Sequence, residues 1–175
     1  MRAGHALTTR GVTLRPARDG DRPFERTLFE TARPDAVLLA AWPDDARRAF
    51  LDQQFEFQTR HYARAHPDAE RLIVQIAGAA AGRLILQRAP AAWRIIDIAL
   101  VPRWRGAGIG TLLMQTVLAE AEEAAAGAVH LAVDPRNPAR RLYERLGFVA
   151  SGGEENAASI AMRWRPGPRP QLKTA

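Results

Sequence analysis

The feature that most constrains this chain is a change of period around residues 101–111. Before it, Arg94 to Val101 reads Arg-Ile-Ile-Asp-Ile-Ala-Leu-Val, the near-continuous aliphatic run of a central strand covered on both faces, and Pro102 ends it. After it, Ile109, Leu112, Leu113 and Val117 recur at i, i+3, i+4 and i+8. That stripe predicts an amphipathic helix running to Gly127 as its C-cap. Between strand and helix, Gly106, Gly108 and Gly110 occupy alternate positions. Glycines at such a turn let several backbone N–H groups face one concavity at a helix N-terminus, where the helix adds the equivalent of about half a positive charge. The turn suits an anion, and Arg103 and Arg105 add charge at its rim. The same glycines also suit a turn that only shapes the chain.

Two familiar phosphate loops fit poorly. No Lys-Ser/Thr pair follows the glycines, which excludes a P-loop. A dinucleotide-binding turn has one point in its favour, since Asp134 ends the next strand where a ribose-binding acid belongs. Against it, Gly110 falls one position short of G-x-G-x-x-G, and four residues separate the strand from the first glycine.

The remaining elements read in order along the chain. Residues 12–17 alternate as a strand, and Asp19-Gly20-Asp21 turns into a helix carrying Phe24, Leu28 and Phe29. Asp44 or Asp45 caps a long helix with Phe50, Leu51, Phe55, Gln58 and Tyr62 at helical spacing, stopped by Pro67. Arg71–Ala77 and Gly82–Arg88 read as a hairpin with Gly78–Gly82 as its loop. Residues 128–133 form a strand. Pro138 opens a helix with Leu142, Tyr143 and Leu146 that Gly147 ends, and residues 148–150 and 159–164 are late strands. The order β-α-α-β-β-β-α-β-α-β-β is mixed α/β.

Composition narrows the function. The 175 residues, 47% hydrophobic and 25% charged, are expected to form one domain over residues 1–164. Pro166, Pro168 and Pro170 make 165–175 a tail expected to be disordered. There is no apolar run long enough to span a bilayer, and the first twenty residues lack a signal-peptide core, so the expectation is a cytoplasmic protein with no membrane partner. Cysteine is absent, which excludes disulfides, a thiolate nucleophile and cysteine-ligated metals. His5, His61, His66 and His130 have no ligand spacing, so no metal is expected. Lysine and arginine number 25 against 19 acids, a net +6. Arg163, Arg165, Arg169 and Lys173 nevertheless sit in the last thirteen residues, where no acid occurs, leaving 21 basic against 19 acidic residues before them. That near balance argues against nucleic acid as a partner.

Arg105-Gly106-Ala107-Gly108-Ile109-Gly110 meets the signature [Q/R]-x-x-G-x-[G/A] of the GNAT superfamily of acetyl-CoA-dependent N-acetyltransferases, and the chain resembles that family further. Ile95–Pro102 is similar to its central strand, and Asn137-Pro-Ala-Arg-Arg-Leu-Tyr-Glu-Arg-Leu-Gly-Phe148 is similar to its later Asn…Leu-Tyr-Glu-(Lys/Arg)-x-Gly-Phe motif. The two motifs stand in the family's order, and the elements from residue 12 to about 164 follow its fold. The resemblance implies a mixed, mostly antiparallel sheet with a splayed central strand pair and flanking helices. It also implies acetyl-CoA as co-substrate and direct attack by a primary amine in a ternary complex.

Site residues follow from the same resemblance. The backbone of Arg105, Gly106, Ala107, Gly108, Gly110 and Thr111 would hold the CoA pyrophosphate. Leu100 and Val101 would pair with the pantetheine arm, with one of their N–H groups facing the thioester oxygen. Asn137 would contact the arm, although it lies six residues before Tyr143 where seven is commoner, and Arg140, with Arg141, would reach the phosphates. Tyr143, which spacing alone reads as an aromatic core residue, would protonate the departing thiolate. Asp97, the only acid in the central strand, would take the amine's proton or grip a cationic substrate; a structural ion pair with an arginine is an equal reading of its position. Glu25 and Glu30 are further acids. Trp42, Trp93 and Trp104 flank loops beside a substrate cleft or pack under them. The acceptor is a small-molecule or peptide amine, chosen by residues 19–66, 89–93 and 151–157. A homodimer through the late strands fits the family, and the alternative function is a catalytically silent CoA-binding or partner-binding module.

Overall fold

The computed structural model describes residues 11–33, 35–152 and 159–167. The chain divides into two compact units, Met1–Arg88 with Ile95–Leu113, and Ala89–Arg94 with Met114–Ala175.

The first unit holds β1 (Val12–Pro16), α1 (Arg22–Ala32), α2 (Ala36–Leu39), α3 (Asp44–Ala65), β2 (Glu70–Ile76), β3 (Ala79–Arg88), most of β4 (Trp93–Leu100) and the start of α4 (Ile109–Glu123). β1 pairs antiparallel with β2, Val12 opposite Ile76, and β2 pairs antiparallel with β3 through a bulge at Val74/Gln75. The hairpin turns on Ala77 and Gly78 alone, with φ of +49° and +80°, the two left-handed positions of a tight hairpin turn. The expected five-residue loop is therefore mostly strand. Gly82 serves packing instead: a Cβ there would lie 2.4 Å from the Ala99 carbonyl oxygen and 2.6 Å from Leu100 Cδ2, so glycine is what lets β3 approach β4. Val12, Val74, Ile76, Ala81, Ile109 and Leu113 form one apolar core, with Ile98, Leu100 and Trp104 packed against it. Phe29, Leu39, Leu51 and Phe55 form another, joining α1, α2 and α3. The four-residue α2 is too short to show a period and escapes sequence reading.

The second unit contains the start of β4, the rest of α4, β5 (Val129–Val133), α5 (Ala139–Arg145), β6 (Val149–Ala150) and β7 (Ile160–Trp164). β5 pairs antiparallel with β7, Val129 opposite Trp164, and β6 with β7, Val149 opposite Arg163. Val129, Leu131, Val133 and Met162 are buried. Helix α4 stops at Glu123 rather than Gly127. Ala125 adopts φ +56°, and the Ala126 N–H donates to the Ala121 carbonyl at 2.9 Å, so an alanine takes the left-handed capping position expected of glycine.

Strand order is β1-β2-β3-β4-β5-β7-β6, the mixed, mostly antiparallel α/β sheet that the resemblance implies. The parallel β4–β5 ladder comprises Trp93↔Val129 and Arg94↔His130, while β4 runs on to Leu100. Residues 165–167 are in neither helix nor strand, and the rest of the expected disordered tail, 168–175, lies outside the described residues, as do His5 and residues 153–158.

Candidate active site

The turn after β4 is built by its own backbone. The Val101 N–H donates to the Ala81 carbonyl at 2.9 Å, Trp104 N–H to Val101 O at 3.0 Å and Arg105 N–H to Pro102 O at 3.1 Å, which winds residues 102–104 into a 3-10 turn. Gly106 and Gly108 follow at φ +74° and +80°, values that a side chain would make costly. The Leu112 N–H donates to Gly108 O at 3.0 Å, so the amides of Ile109 and Gly110 precede the first bond of α4 and point out of its end. Residues 101–111 contain no acid. Free amides, a helix N-terminus and no negative charge in the segment are the donor set that a pyrophosphate needs.

Three placements differ from the simplest expectation. The Val101 N–H is already bonded to β3, so it does not face a thioester; by strand alternation the Leu100 N–H points to the opposite side. The Arg105 guanidinium turns back onto the protein, Nε donating to Leu100 O at 2.8 Å and Nη2 to Thr31 O at 2.9 Å, where it satisfies a last-turn carbonyl of α1. The Leu100 carbonyl is thus occupied as well. Arg103 lies 5.9 Å over the Trp104 ring.

Asp97 belongs to a polar cluster inside the first unit. Arg83, only 5% exposed, places Nε 2.9 Å and Nη2 2.8 Å from Asp97 Oδ2, and Nη2 also donates to Gln58 Oε1 at 3.3 Å. Its Nη1 lies 3.8 Å from Oε1 of Glu25, which is 0% exposed, and Arg71 donates to the other Glu25 oxygen. Glu25 Oε1 accepts no hydrogen bond among the described residues. Beside them, burial first and then the Asp97 charge push the Tyr62 phenol up to about 12, against the opposing pull of Arg83. Of the two further acids, Glu25 sits at the centre of this cluster, whereas Glu30 pairs with Arg26. Sequence reading missed Arg83, Gln58 and Tyr62. The apolar run around Arg83 (Gly82-Arg-Leu-Ile-Leu) was the available signal, because a buried arginine implies a buried acid.

In the second unit, Tyr143 is buried on α5 with its ring 6.0 Å from that of Phe148. Asn137 is exposed, and its Oδ1 accepts the Ala139 N–H at 2.9 Å. Arg140 Nε donates to Glu144 Oε1 at 2.8 Å. Arg136, Asn137, Arg140, Arg141 and Glu144 line an open groove of about 430 Å³. The Arg136 guanidinium holds the Asp134 carboxyl below its ordinary range, which leaves that acid engaged locally. Of the tryptophans, Trp93 is core, Trp42 is exposed and rests 5.4 Å from the Phe50 ring, and the Trp104 Nε1 is buried without a hydrogen-bond partner among the described residues. Among those residues no cluster of three His, Asp or Glu is placed to hold a metal ion, and no helix is long and apolar enough to cross a membrane.

The chain is similar to known proteins in sequence and in fold. The [Ribosomal protein bS18]-alanine N-acetyltransferase of Haemophilus influenzae is 33% identical over 98 residues, a match covering 50% of this chain and 64% of that relative's length. Among solved structures, the PaiA N-acetyltransferase of Thermoplasma acidophilum, in complex with coenzyme A, superposes with TM-score 0.66 at 11% identity over 89% of this chain and 99% of its own. The ribosomal-protein-S18-alanine N-acetyltransferase of Escherichia coli gives 0.60 at 19% identity over 92% and 97%. These two share the fold. Residues 26–148 match the profile of the Acetyltransferase (GNAT) family, and with that match over more than half its length, this chain belongs to the GNAT family.

Proposed function

We propose that the chain is an N-acetyltransferase that moves an acetyl group from acetyl-CoA to a primary amine by direct attack in a ternary complex, its two units together making one acyltransferase domain over residues 1–164. The observation that carries this reading is the turn after β4, where two left-handed glycines open the first amides of α4 to an anion. The amides of residues 106–111 hold the pyrophosphate, and Asn137, Arg140 and the groove they line hold the rest of CoA. The Leu100 N–H faces the thioester oxygen and stabilises the charge that develops there as the amine nitrogen bonds to the carbonyl carbon. As the C–S bond breaks, the Tyr143 phenol gives its proton to the thiolate, and the nitrogen's excess proton leaves toward Asp97. No acyl-enzyme forms on a thiol, because the chain has none.

The acceptor is a peptide or small-molecule amine. The named activity of the Haemophilus influenzae relative on a protein alanine supports the peptide, and a solved neighbour named as a spermidine N-acetyltransferase supports the small amine. The cytoplasm is where such a reaction finds acetyl-CoA. The test is thermal stability with acetyl-CoA, CoA and NAD. A rise with both CoA species and none with NAD is expected. No shift with either CoA species would overturn the reading and leave a partner-binding module.

A further inference from the structure

Strand pairing in the second unit assembles a row of basic side chains that the sequence scatters over seventy residues. Arg94 on β4 stands in register with His130 on β5, and His130 with Arg163 on β7. Register partners present side chains on the same face, and strands lie about 4.8 Å apart, so the row spans about 10 Å. Arg165, two residues past Arg163, adds a third arginine whose charge reaches His130. Arg94 and Arg165 are exposed, and His130 and Arg163 are half-buried. None of the three arginines makes an ion pair among the described residues. The charges acting on His130 are all positive: burial and then Arg94, Arg163 and Arg165 hold it below its ordinary value.

Like charges gathered without a counter-charge repel one another, and an anion on the row relieves that cost. The face around them decides which anion. Ala132 and Ala161, paired in register, are its neighbours along the strands, and Val149 stands opposite Arg163. No aromatic side chain is on this row to anchor a folded protein, whose interface would need an apolar centre. The groups that distinguish this row are charged, a phosphate backbone binds through charge, and the arginine fork matches phosphate oxygens. Beyond β7 the sequence continues with Arg169 and Lys173 and no acid. We propose that the Arg94–His130–Arg163 row is a docking face for the phosphate backbone of a nucleic acid. This reading is independent of acetyl transfer. It departs from the near-balanced charge of residues 1–162, because total charge does not register which residues strand pairing makes neighbours.

The test is fluorescence anisotropy of a labelled 20-nucleotide oligouridylate with the full chain over a range of salt. Three arginine contacts predict a slope of about −2 in log K against log salt, and the double variant Arg94→Ala/Arg163→Ala should bind at least roughly tenfold more weakly with a slope nearer to about −0.7. The variants' thermal midpoints and far-UV spectra report that they fold. In the native chain, bound RNA should raise the pH midpoint of the His130 ring proton in NMR, because phosphate offsets the arginines. The proposal is overturned if the double variant binds as the native chain does, if the His130 midpoint does not move, or if a polyglutamate peptide binds more tightly than RNA.

Discussion

The two units differ in the charge they bury. Among the described residues the only buried charged side chains are Glu25 and Arg83, both in the first unit, where they meet each other, Arg71 and Asp97 from distant parts of the sequence, while pairs such as Asp44–Arg47 stay local and exposed. In the second unit Asp134–Arg136 and Arg140–Glu144 are local pairs open to water, with Arg136 86% exposed. A buried pair is interdependent: removing one partner strands the other's charge away from water, which costs more than the pair was worth. An exposed pair exchanges its partner for solvent and is worth little. The first unit is therefore brittle to single changes at its polar centre, and the second is tolerant.

Several changes would break or sharpen that contrast. The largest effect is expected from Arg83→Met, which leaves Glu25 and Asp97 without their shared cation; unfolding in urea should show a loss of about 3–5 kcal/mol, and adding Glu25→Gln should recover part of it. A cost no greater than that of a surface substitution would mean the cluster is not what holds this centre. Gly82→Ala follows, because a Cβ at 2.4 Å from the Ala99 oxygen must force β3 off β4, costing about 1–3 kcal/mol by the same measurement. Next is alkaline stability. The Tyr62 phenol, at about 12 against an ordinary 10.0, stays protonated in the folded chain where the unfolded chain has already lost its proton. Stability is then full below pH 10 and falls as pH rises toward 12. Tyr62→Phe should flatten that fall in pH-dependent thermal unfolding while leaving the acid side unchanged. Asn137→Ala removes one side-chain bond to the Ala139 amide and should cost about 0.5–1 kcal/mol. Smallest of all, Arg136→Ala should leave the melting temperature unchanged; a clear drop would show that the second unit depends on its surface pairs after all.

How far the sequence could be read follows the same divide between local and distant. The strand before Pro102, the glycine turn, the stripe of α4 and the Leu-Tyr-Glu helix are each specified by neighbours within a few residues, and each stands where periodicity puts it. The ends were less legible. Ala125 accepts a left-handed φ that the rule for glycine reserves for Gly127, and Ala77 shares a two-residue turn that the run of alanines after Gly78 disguised. Least legible was the polar cluster, since Glu25 meets Arg71 and Arg83 from 46 and 58 positions away, and no local pattern announces such a meeting. Asp97 could be singled out as an acid in an apolar strand, but its partner is set by the register of β3 on β4. The same holds for the row of Arg94, His130 and Arg163, which exists only once strands pair.

The first unit is discontinuous, and that orders its birth. Val101 supplies the N–H that the Ala81 carbonyl accepts, Asp97 faces Arg83, and Arg105 closes the last turn of α1 at Thr31. As the chain leaves the ribosome, residues 1–88 emerge with these three positions still waiting, and the wait ends only after 89–94, which belong to the other unit, have passed. Until residue 105 is free, Arg83, the Ala81 carbonyl and the Thr31 carbonyl lack these three partners. A chain cut after Arg88 should stay in that unfinished state, while one extending through Leu113 contains every group the first unit needs to close.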